Sequence, residues 1–541
     1  MTEFPNTASL GELLLRSARL HPLKECLVFP TTRWTYATLA HHSQQQARAL
    51  IAAGIRPGDH IGVLSLNRPE MISLLFASAL CGAVCVLLNA RYRSQELRYT
   101  IEHADLRLLF TGNHEAKGPD FVKTLTDAFP ALRETTSGLL PGLVDAPLLK
   151  AIVHLDNLAS PTIPFDQFLA AGERLDAEIL KQCGQPMPPR HPAIIMYTSG
   201  TTSLPKGCVL SHEAIVCNTA AMASRLELSE HDRMWDPLPM FHMAAILPLL
   251  GVLLTGGCYI TDTYFRPDIA WSQLLKEQVS FMYPAFPAIM SDILNHPEFD
   301  AEQLHAVRMV NNVAPPDTLR ANMRAIPNAV HISAYGMTEA SGISCHGSRF
   351  ESDEVRATTC GKPYTDVHMR VVDPETGDVR RSGERGEMQI AGRTLLNEYY
   401  KMPQETAAAF SADGWFRTGD LCAIDDAGRV SFHGRLKELI KVGGENVSPL
   451  ELESFLEQHP EVMVAQTVGM PDKRLGEVVA AFIQRRPGSE LSEEELITYC
   501  RGRIASFKVP RYVRFVDVWP MSATKIQKHV LRAQLHSELF G

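Results

Sequence analysis

Directly after an apolar run at 193–197, the chain reads Tyr197-Thr-Ser-Gly-Thr-Thr-Ser-Leu-Pro-Lys-Gly207. The run predicts a buried strand, and the segment after it is dense in glycine and hydroxyl side chains. Such a loop offers several backbone N–H groups and small O–H donors to one polyanion. Gly200 lets the backbone approach a ligand closely, and Lys206 adds a mobile cation. Thr198, Ser199, Gly200, Thr201, Thr202 and Lys206 are therefore candidate phosphate contacts. One glycine and one serine would read as an ordinary surface turn; this density of donors favours phosphate. The G-x-x-x-x-G-K-[ST] spacing is absent, which excludes a Walker A loop.

Around this loop, helix-length segments (43–53, 70–80) alternate with strand-like runs (60–65, 84–87, 106–111), predicting α/β units with parallel-type sheets flanked by helices. The uncharged stretch 71–88 is long enough to span a bilayer. Its small residues and Gly82 instead predict a helix packed on a buried strand. Residues 135–164 read as a loop-rich excursion. From about Met369, short strands and turns predict a β-rich subdomain. After Gly434 a tail carries its own helices (449–458, 493–504) and strands (462–468, 479–484), forming a small α+β unit. The 541 residues exceed the roughly 250–300 that one core supports. The expected division is 1–434 and 435–541.

A net charge of −9 gives no basic field for nucleic acid, while leaving room for locally built anion sites. The 11 cysteines form no C-x-x-C pair and no zinc spacing with histidine. They predict free thiols in a reducing compartment. The first residues lack a basic segment followed by a long apolar one, so a cytoplasmic location is expected.

Four further segments carry chemistry. In Ala334-Tyr-Gly-Met-Thr-Glu-Ala340, Thr338 can donate to a phosphate and Glu339 is a hard oxygen ligand suited to Mg2+. The plainer alternative is Thr338 as a helix N-cap. In Asp413-Gly-Trp-Phe-Arg-Thr-Gly-Asp420, a carboxylate at a tight turn can accept from ribose hydroxyls, or simply close a β-turn. From Gly434 to Pro449, a charged run containing Arg435 and Lys437 precedes paired Gly443 and Gly444, which let a ligand pass close. From Pro520 to Lys528, a polar turn holds Lys525 and Lys528.

Together and in this order, these motifs resemble the adenylate-forming superfamily of acyl-CoA synthetases, from Trp34 to Lys528. Within it the sequence is most similar to the carnitine/crotonobetaine–CoA ligase branch, through the motifs at 200–207, 443–453 and 507–510. The resemblance implies two steps: a carboxylic acid attacks the ATP α-phosphate, then coenzyme A displaces AMP from the acyl-adenylate. It implies that 198–202 and Lys206 hold the β- and γ-phosphates, with Tyr335 and Gly336 at the nucleotide and Gly336 also at the acyl pocket. Thr338 then contacts the α-phosphate, Glu339 the Mg2+, and Asp420 and Arg435 the ribose. Lys525 stabilises charge between the two anions in the first step. Lys437 is the hinge of a mobile C-terminal unit, Gly443 and Gly444 border the pantetheine tunnel, and His242 stands at the acyl and thiol entry. A homodimer is the family's expectation.

Three departures matter. Ser203 replaces a third glycine in the phosphate loop. Thr524 precedes Lys525 where glycine is usual, which makes Lys528 the fallback catalytic lysine. Asn311, Asn312 and Val313 stand at a glycine-rich turn beside the acyl pocket, implying a compact or hydroxylated acid. The alternatives are a ligase for aryl or other short- or medium-chain acids, an amino- or aryl-acid activator serving a carrier protein, and a nucleotide- or acyl-binding non-enzyme with a displaced lysine.

Overall fold

The computed structural model describes residues 9–112, 118–134, 143–176, 178–180, 188, 190–198, 205–442, 445–522 and 525–540, with backbone alone at Asn446, Ser522 and Lys525. The architecture is α/β, with two large sheets flanked by helices. One sheet has seven strands in the order Val330–Ile332, Met309–Asn312, Phe281–Ala285, Arg233–Trp235, Cys258–Ile260, Glu25–Val28, Arg33–Thr35. All its pairings are parallel except the last. The other has eight strands. Its centre, Pro192–Thr198, Val84–Leu87, His60–Ser65 and Leu106–Gly112, is parallel, and Lys206–Ser211 joins one side antiparallel, with Glu398–Tyr399 at the edge beyond it. Parallel strands are covered on both faces, which is why these read as continuous apolar runs. One hydrophobic cluster draws on both sheets, from Ile61, Val63 and Ile195 to Phe281, Tyr283 and Met309.

The uncharged stretch folds as expected from its small residues. Helix Pro69–Cys81 ends at Gly82 in the left-handed conformation (φ 78°), and strand Val84–Leu87 follows, both buried. No helix among the described residues is long and apolar enough to cross a membrane. Two expectations need correction. The helix expected over 43–53 spans Tyr36–Ala52, because the Thr35 side chain accepts from the Thr38 amide and caps it seven residues earlier. The loop-rich excursion contains a buried strand, Ala151–His154, parallel to Leu106–Gly112.

A four-stranded antiparallel sheet follows, in the order Val367–Val372, Gly386–Gly392, Phe416–Ile424, Val430–Arg435. The 3-10 turn Leu436–Glu438 then leads to a five-stranded sheet that opens at Ile440. This sheet has its own core around Val447, Leu452, Ile483 and Leu496. Its second face is covered by Leu531 and Leu535 of the helix Lys528–Phe540.

Candidate active site

The phosphate-loop segment connects two strands of an antiparallel ladder, in which Thr198 stands opposite Lys206. Ser199, Gly200, Thr201 and Thr202 lie outside the described residues. The short strand Glu398–Tyr399 adds to the ladder, with Tyr399 opposite Cys208. It brings the Tyr399 ring to 5.1 Å from Lys206 Nζ, a cation–π contact. Below it, burial and then the Glu339 carboxylate push the Cys208 thiol well up, so that sulfur stays protonated and inert.

Tyr399 also reaches the second motif, donating a 3.0 Å hydrogen bond to Glu339 Oε1. The Leu396 amide donates to the Glu339 carbonyl at 2.8 Å. Glu339 belongs to the 3-10 turn Thr338–Ala340 at the end of strand Ala334–Met337. The cap position of that turn is Met337, so Thr338 is not the N-cap that its residue type suggested. Thr338 and Glu339 are both half-buried. The Glu339 carboxylate is fixed by a neutral donor, which leaves it oxygen lone pairs for a hard cation. That donor set fits Mg2+, which takes one or two carboxylates and completes its shell with phosphates and water. Among the described residues, no cluster of three or more acidic, histidine or cysteine side chains could hold a metal unaided.

Four residues before Glu339, Tyr335 donates at 2.7 Å to Asp420 Oδ2. Asp420 stands opposite Arg435 in its ladder, and Arg435 Nε lies 2.7 Å from Asp420 Oδ1. The Asp420 side chain is 3% exposed and that of Arg435 is 42% exposed. The pair is thus a buried carboxylate with a cation at its mouth. Burial, with Asp420 adding to it, holds the Tyr335 phenol far above its usual range and keeps it a donor. Gly336 is forced by crowding: a Cβ there would sit 2.2 Å from the Gly342 carbonyl oxygen.

His242 is half-buried at the N-cap of the buried helix Met243–Thr255, its ring 4.8 Å from that of Phe241. Asn311 and Asn312 end strand Met309–Asn312, fully buried, and none of their four amide side-chain atoms has a hydrogen-bond partner among the described residues. Strand alternation puts Asn311 on the face of Met309 and Asn312 on that of Val310. Val313 is 40% exposed. These residues stand at the carboxyl end of a parallel strand, where open α/β sheets bind ligands.

Lys437 is exposed in the turn Leu436–Glu438. Gly443, Gly444 and the Lys525 side chain lie outside the described residues; the Lys525 backbone forms a short ribbon, Met521–Ser522 with Lys525–Ile526. Lys528 is engaged elsewhere, with Nζ 2.6 Å from Glu453 Oε1. The residue that sequence reasoning missed is Tyr399. Its strand has two residues and no motif of its own.

The described cluster offers cations, a Mg2+-type carboxylate and a buried ribose-type carboxylate, but no paired nucleophile and base. It suits positioning and charge stabilisation of a nucleotide.

Comparison with known proteins agrees. The AMP-binding enzyme family model matches residues 14–400, and the model of its C-terminal domain matches 451–525. A Bacillus subtilis (strain 168) protein named as an acyl-CoA synthetase, YngI, is 33% identical over 534 residues, covering 97% of this chain and 96% of its own. The mitochondrial medium-chain acyl-CoA ligase ACSF2 of Macaca fascicularis is 31% identical over 544 residues, covering 98% and 88%. ATP-bound MatB from Rhodopseudomonas palustris superposes with a TM-score of 0.84 at 25% identity, covering 98% and 100%. A Mycobacterium tuberculosis fatty acyl CoA synthetase gives 0.71 at 28%, covering 98% and 99%. ATP, Mg2+ and coenzyme A are the usual requirements of such enzymes. On these matches and this geometry, the chain belongs to the AMP-binding enzyme family and, within it, to the AMP-forming acyl-CoA synthetases.

Proposed function

We propose that this enzyme activates a compact, polar carboxylic acid, of the carnitine or crotonobetaine kind, as its acyl-adenylate and transfers the acyl group to coenzyme A. The observation that supports the substrate reading is the buried pair Asn311 and Asn312, whose four amide atoms have no partner among the described residues; because the two alternate across the strand, one of them faces the acyl group. Each unsatisfied buried polar group costs about 1–3 kcal/mol. A plain aliphatic chain would leave that cost in place, whereas a hydroxyl or oxo group offsets it by hydrogen bonding, and a trimethylammonium, which has neither N–H nor lone pair, gains only the attraction of an amide oxygen for its charge. A site built to bond a substrate hydroxyl can reject the analogue lacking it by as much as about 10^4-fold.

In the proposed mechanism, the phosphate loop and Lys206 hold the β- and γ-phosphates, Thr338 the α-phosphate, and Asp420 with Arg435 the ribose. Tyr399 holds Glu339 toward Mg2+, whose charge neutralises the phosphates when bound. Lys525 stabilises the charge that develops between carboxylate and α-phosphate. Residues 1–434 then form the adenylation unit, and 435–541 turn about Lys437 between the half-reactions. Separate hydrophobic cores on the two sides of the turn Leu436–Glu438 support that division.

A second reading, a medium-chain acid ligase, is favoured by the similarity to ACSF2, a medium-chain acyl-CoA ligase. Acid-dependent ATP–pyrophosphate exchange with matched pairs of acids, each with and without a hydroxyl or betaine group, decides between them. The polar member of each pair is expected to show at least about tenfold higher kcat/KM, and Asn312→Ala to narrow that ratio. A panel led by unsubstituted C8–C10 acids would establish the medium-chain reading instead. No exchange with any acid would leave only a nucleotide- or acyl-binding protein.

A further inference from the structure

The ribbon that carries Lys525 has only two residue pairs, Met521 with Ile526 and Ser522 with Lys525. An isolated two-stranded ribbon is at best marginally stable in water, so its position must come from what tethers it. One tether is local: the Gln527 amide donates to the Pro520 carbonyl at 2.7 Å. The other is long-range. Lys528, three residues after Lys525, opens the helix Lys528–Phe540, and its Nζ lies 2.6 Å from Glu453 Oε1. Glu453 is 6% exposed and lies on the helix Pro449–Leu456, in the segment that follows the paired glycines. Its Oε1 also accepts from the Thr467 amide at 2.7 Å and from the Thr467 hydroxyl at 3.2 Å. The carboxylate is therefore fixed from a neighbouring strand before Lys528 reaches it.

Lys528 sits where a cation is unfavourable, since the N-terminus of a helix carries partial positive charge and this helix has no acidic residue in its first turn. Among the described residues, Glu453, with Glu438 at 3.9 Å, supplies the missing negative charge. Glu438 neighbours Lys437 in the turn that joins the two units. One side chain thus connects the Lys525 ribbon, the helix after the paired glycines and the joining turn.

We infer that Lys528 is a positioning residue for the first half-reaction: its ion pair with buried Glu453 sets where the Lys525 ribbon sits. This rests on the reading of Lys525 as the adenylation lysine. Lys528 touches neither nucleotide nor acid; it acts through the register of the ribbon and the start of the helix. The second half-reaction, in which Lys525 takes no part, is insensitive to it.

The test compares the two half-reactions in the full-length enzyme with Lys528→Met, Lys528→Arg, Glu453→Gln, the Met/Gln double variant and Lys525→Ala. Glu453→Gln keeps an oxygen for Thr467 and removes only the charge. Expected are a fall of about 10- to 100-fold in kcat for ATP–pyrophosphate exchange in Lys528→Met and in Glu453→Gln, the scale that misplacing a reacting group by about 1 Å costs. KM for ATP and acid stays within twofold or so, and thioester formation from supplied acyl-adenylate persists. Lys528→Arg recovers most of the exchange, and the double variant is no slower than the slower single one. Equal loss of both half-reactions, unchanged exchange in both single variants, or additive losses would overturn the inference. If Lys525→Ala keeps full exchange while Lys528→Met loses it, Lys528 is itself the lysine of the first step and the reading beneath the inference fails. If Lys525→Ala is inactive and Lys528→Met is not, the clamp alone fails.

Discussion

The Tyr399 hydroxyl donates to Glu339 across a separation of 60 residues. The same ring presents its face to Lys206 Nζ at 5.1 Å. In the proposed mechanism these two groups, a cation and a carboxylate, serve one polyphosphate and its metal, and one aromatic side chain contacts both. Burial, and then Glu339 itself, keep the phenol protonated at any physiological pH. It therefore acts as a fixed donor, not as an acid or base.

Tyr399→Phe keeps the ring and the cation–π contact and deletes the hydrogen bond. Outer-shell partners of metal ligands typically contribute 10- to 100-fold in metal affinity or activity. The expected result is a rise of about tenfold or more in the Mg2+ concentration giving half-maximal exchange, with KM for the acid unchanged and rescue at high Mg2+. A Mg2+ dependence identical to that of the unaltered enzyme would show that Glu339 needs no such support.

Legibility in the sequence followed the range of the interaction that sets each feature. Strands His60–Ser65 and Val84–Leu87 are readable to the residue because both faces are buried, and composition alone carries that information. The start of helix Tyr36–Ala52 is not, because its cap Thr35 doubles as the end of a strand. At the candidate site, Thr198, Lys206, Thr338, Glu339 and Asp420 stand out as candidates from local chemistry and Arg435 from the family resemblance, but the contacts among them are not legible locally. Tyr335 reaches Asp420 over 85 residues, and Tyr399 is placed by a two-residue strand. Lys528 shows the opposite limit. Spacing alone makes it a rival to Lys525, and its contact with Glu453, 75 residues away, is not legible locally.

Gly336→Ala tests whether the strand that carries Tyr335 and leads into the turn with Thr338 and Glu339 tolerates a side chain at that position. The added Cβ would meet the Gly342 oxygen at 2.2 Å and Ile343 Cα at 2.5 Å, both backbone atoms of the paired strand. Neither can move alone, so the pair must separate. Overpacking of this kind costs about 1–3 kcal/mol or more. A lowered Tm with loss of exchange is expected. Gly347→Ala is the control, since its Cβ meets only ordinary contacts at 3.6 Å or beyond. Equal Tm values for the two variants would mean that the strands can part without cost.

Glu457 provides a pH signature for the C-terminal unit. Burial first, and the neighbouring Glu453 charge second, push its carboxyl from an ordinary 4.5 up to about 7. The Ala465 amide donates to its Oε1 at 3.1 Å, which offsets only part of that. Because the folded value is the higher one, the native state holds a proton that the unfolded chain has lost between pH 4.5 and 7. Stability from this group is complete below pH 4.5 and disappears as pH rises through 7. Allowing for partial exposure, the change is on the order of 1–3 kcal/mol. His212 and His346, in the larger unit, run the other way. Burial lowers them to about 4 and about 3, so they remove stability as pH falls below 6.5. A melting curve of the whole protein therefore mixes opposing trends, and the informative quantity is a difference at fixed pH. Glu457→Gln keeps an acceptor for Ala465 and cannot ionise. Relative to the unaltered protein, hydrogen exchange in the helix Pro449–Leu456 should slow at pH 8 and be nearly unchanged at pH 5. A difference that stays constant from pH 5 to 8 would show that Glu457 titrates as an ordinary surface carboxylate.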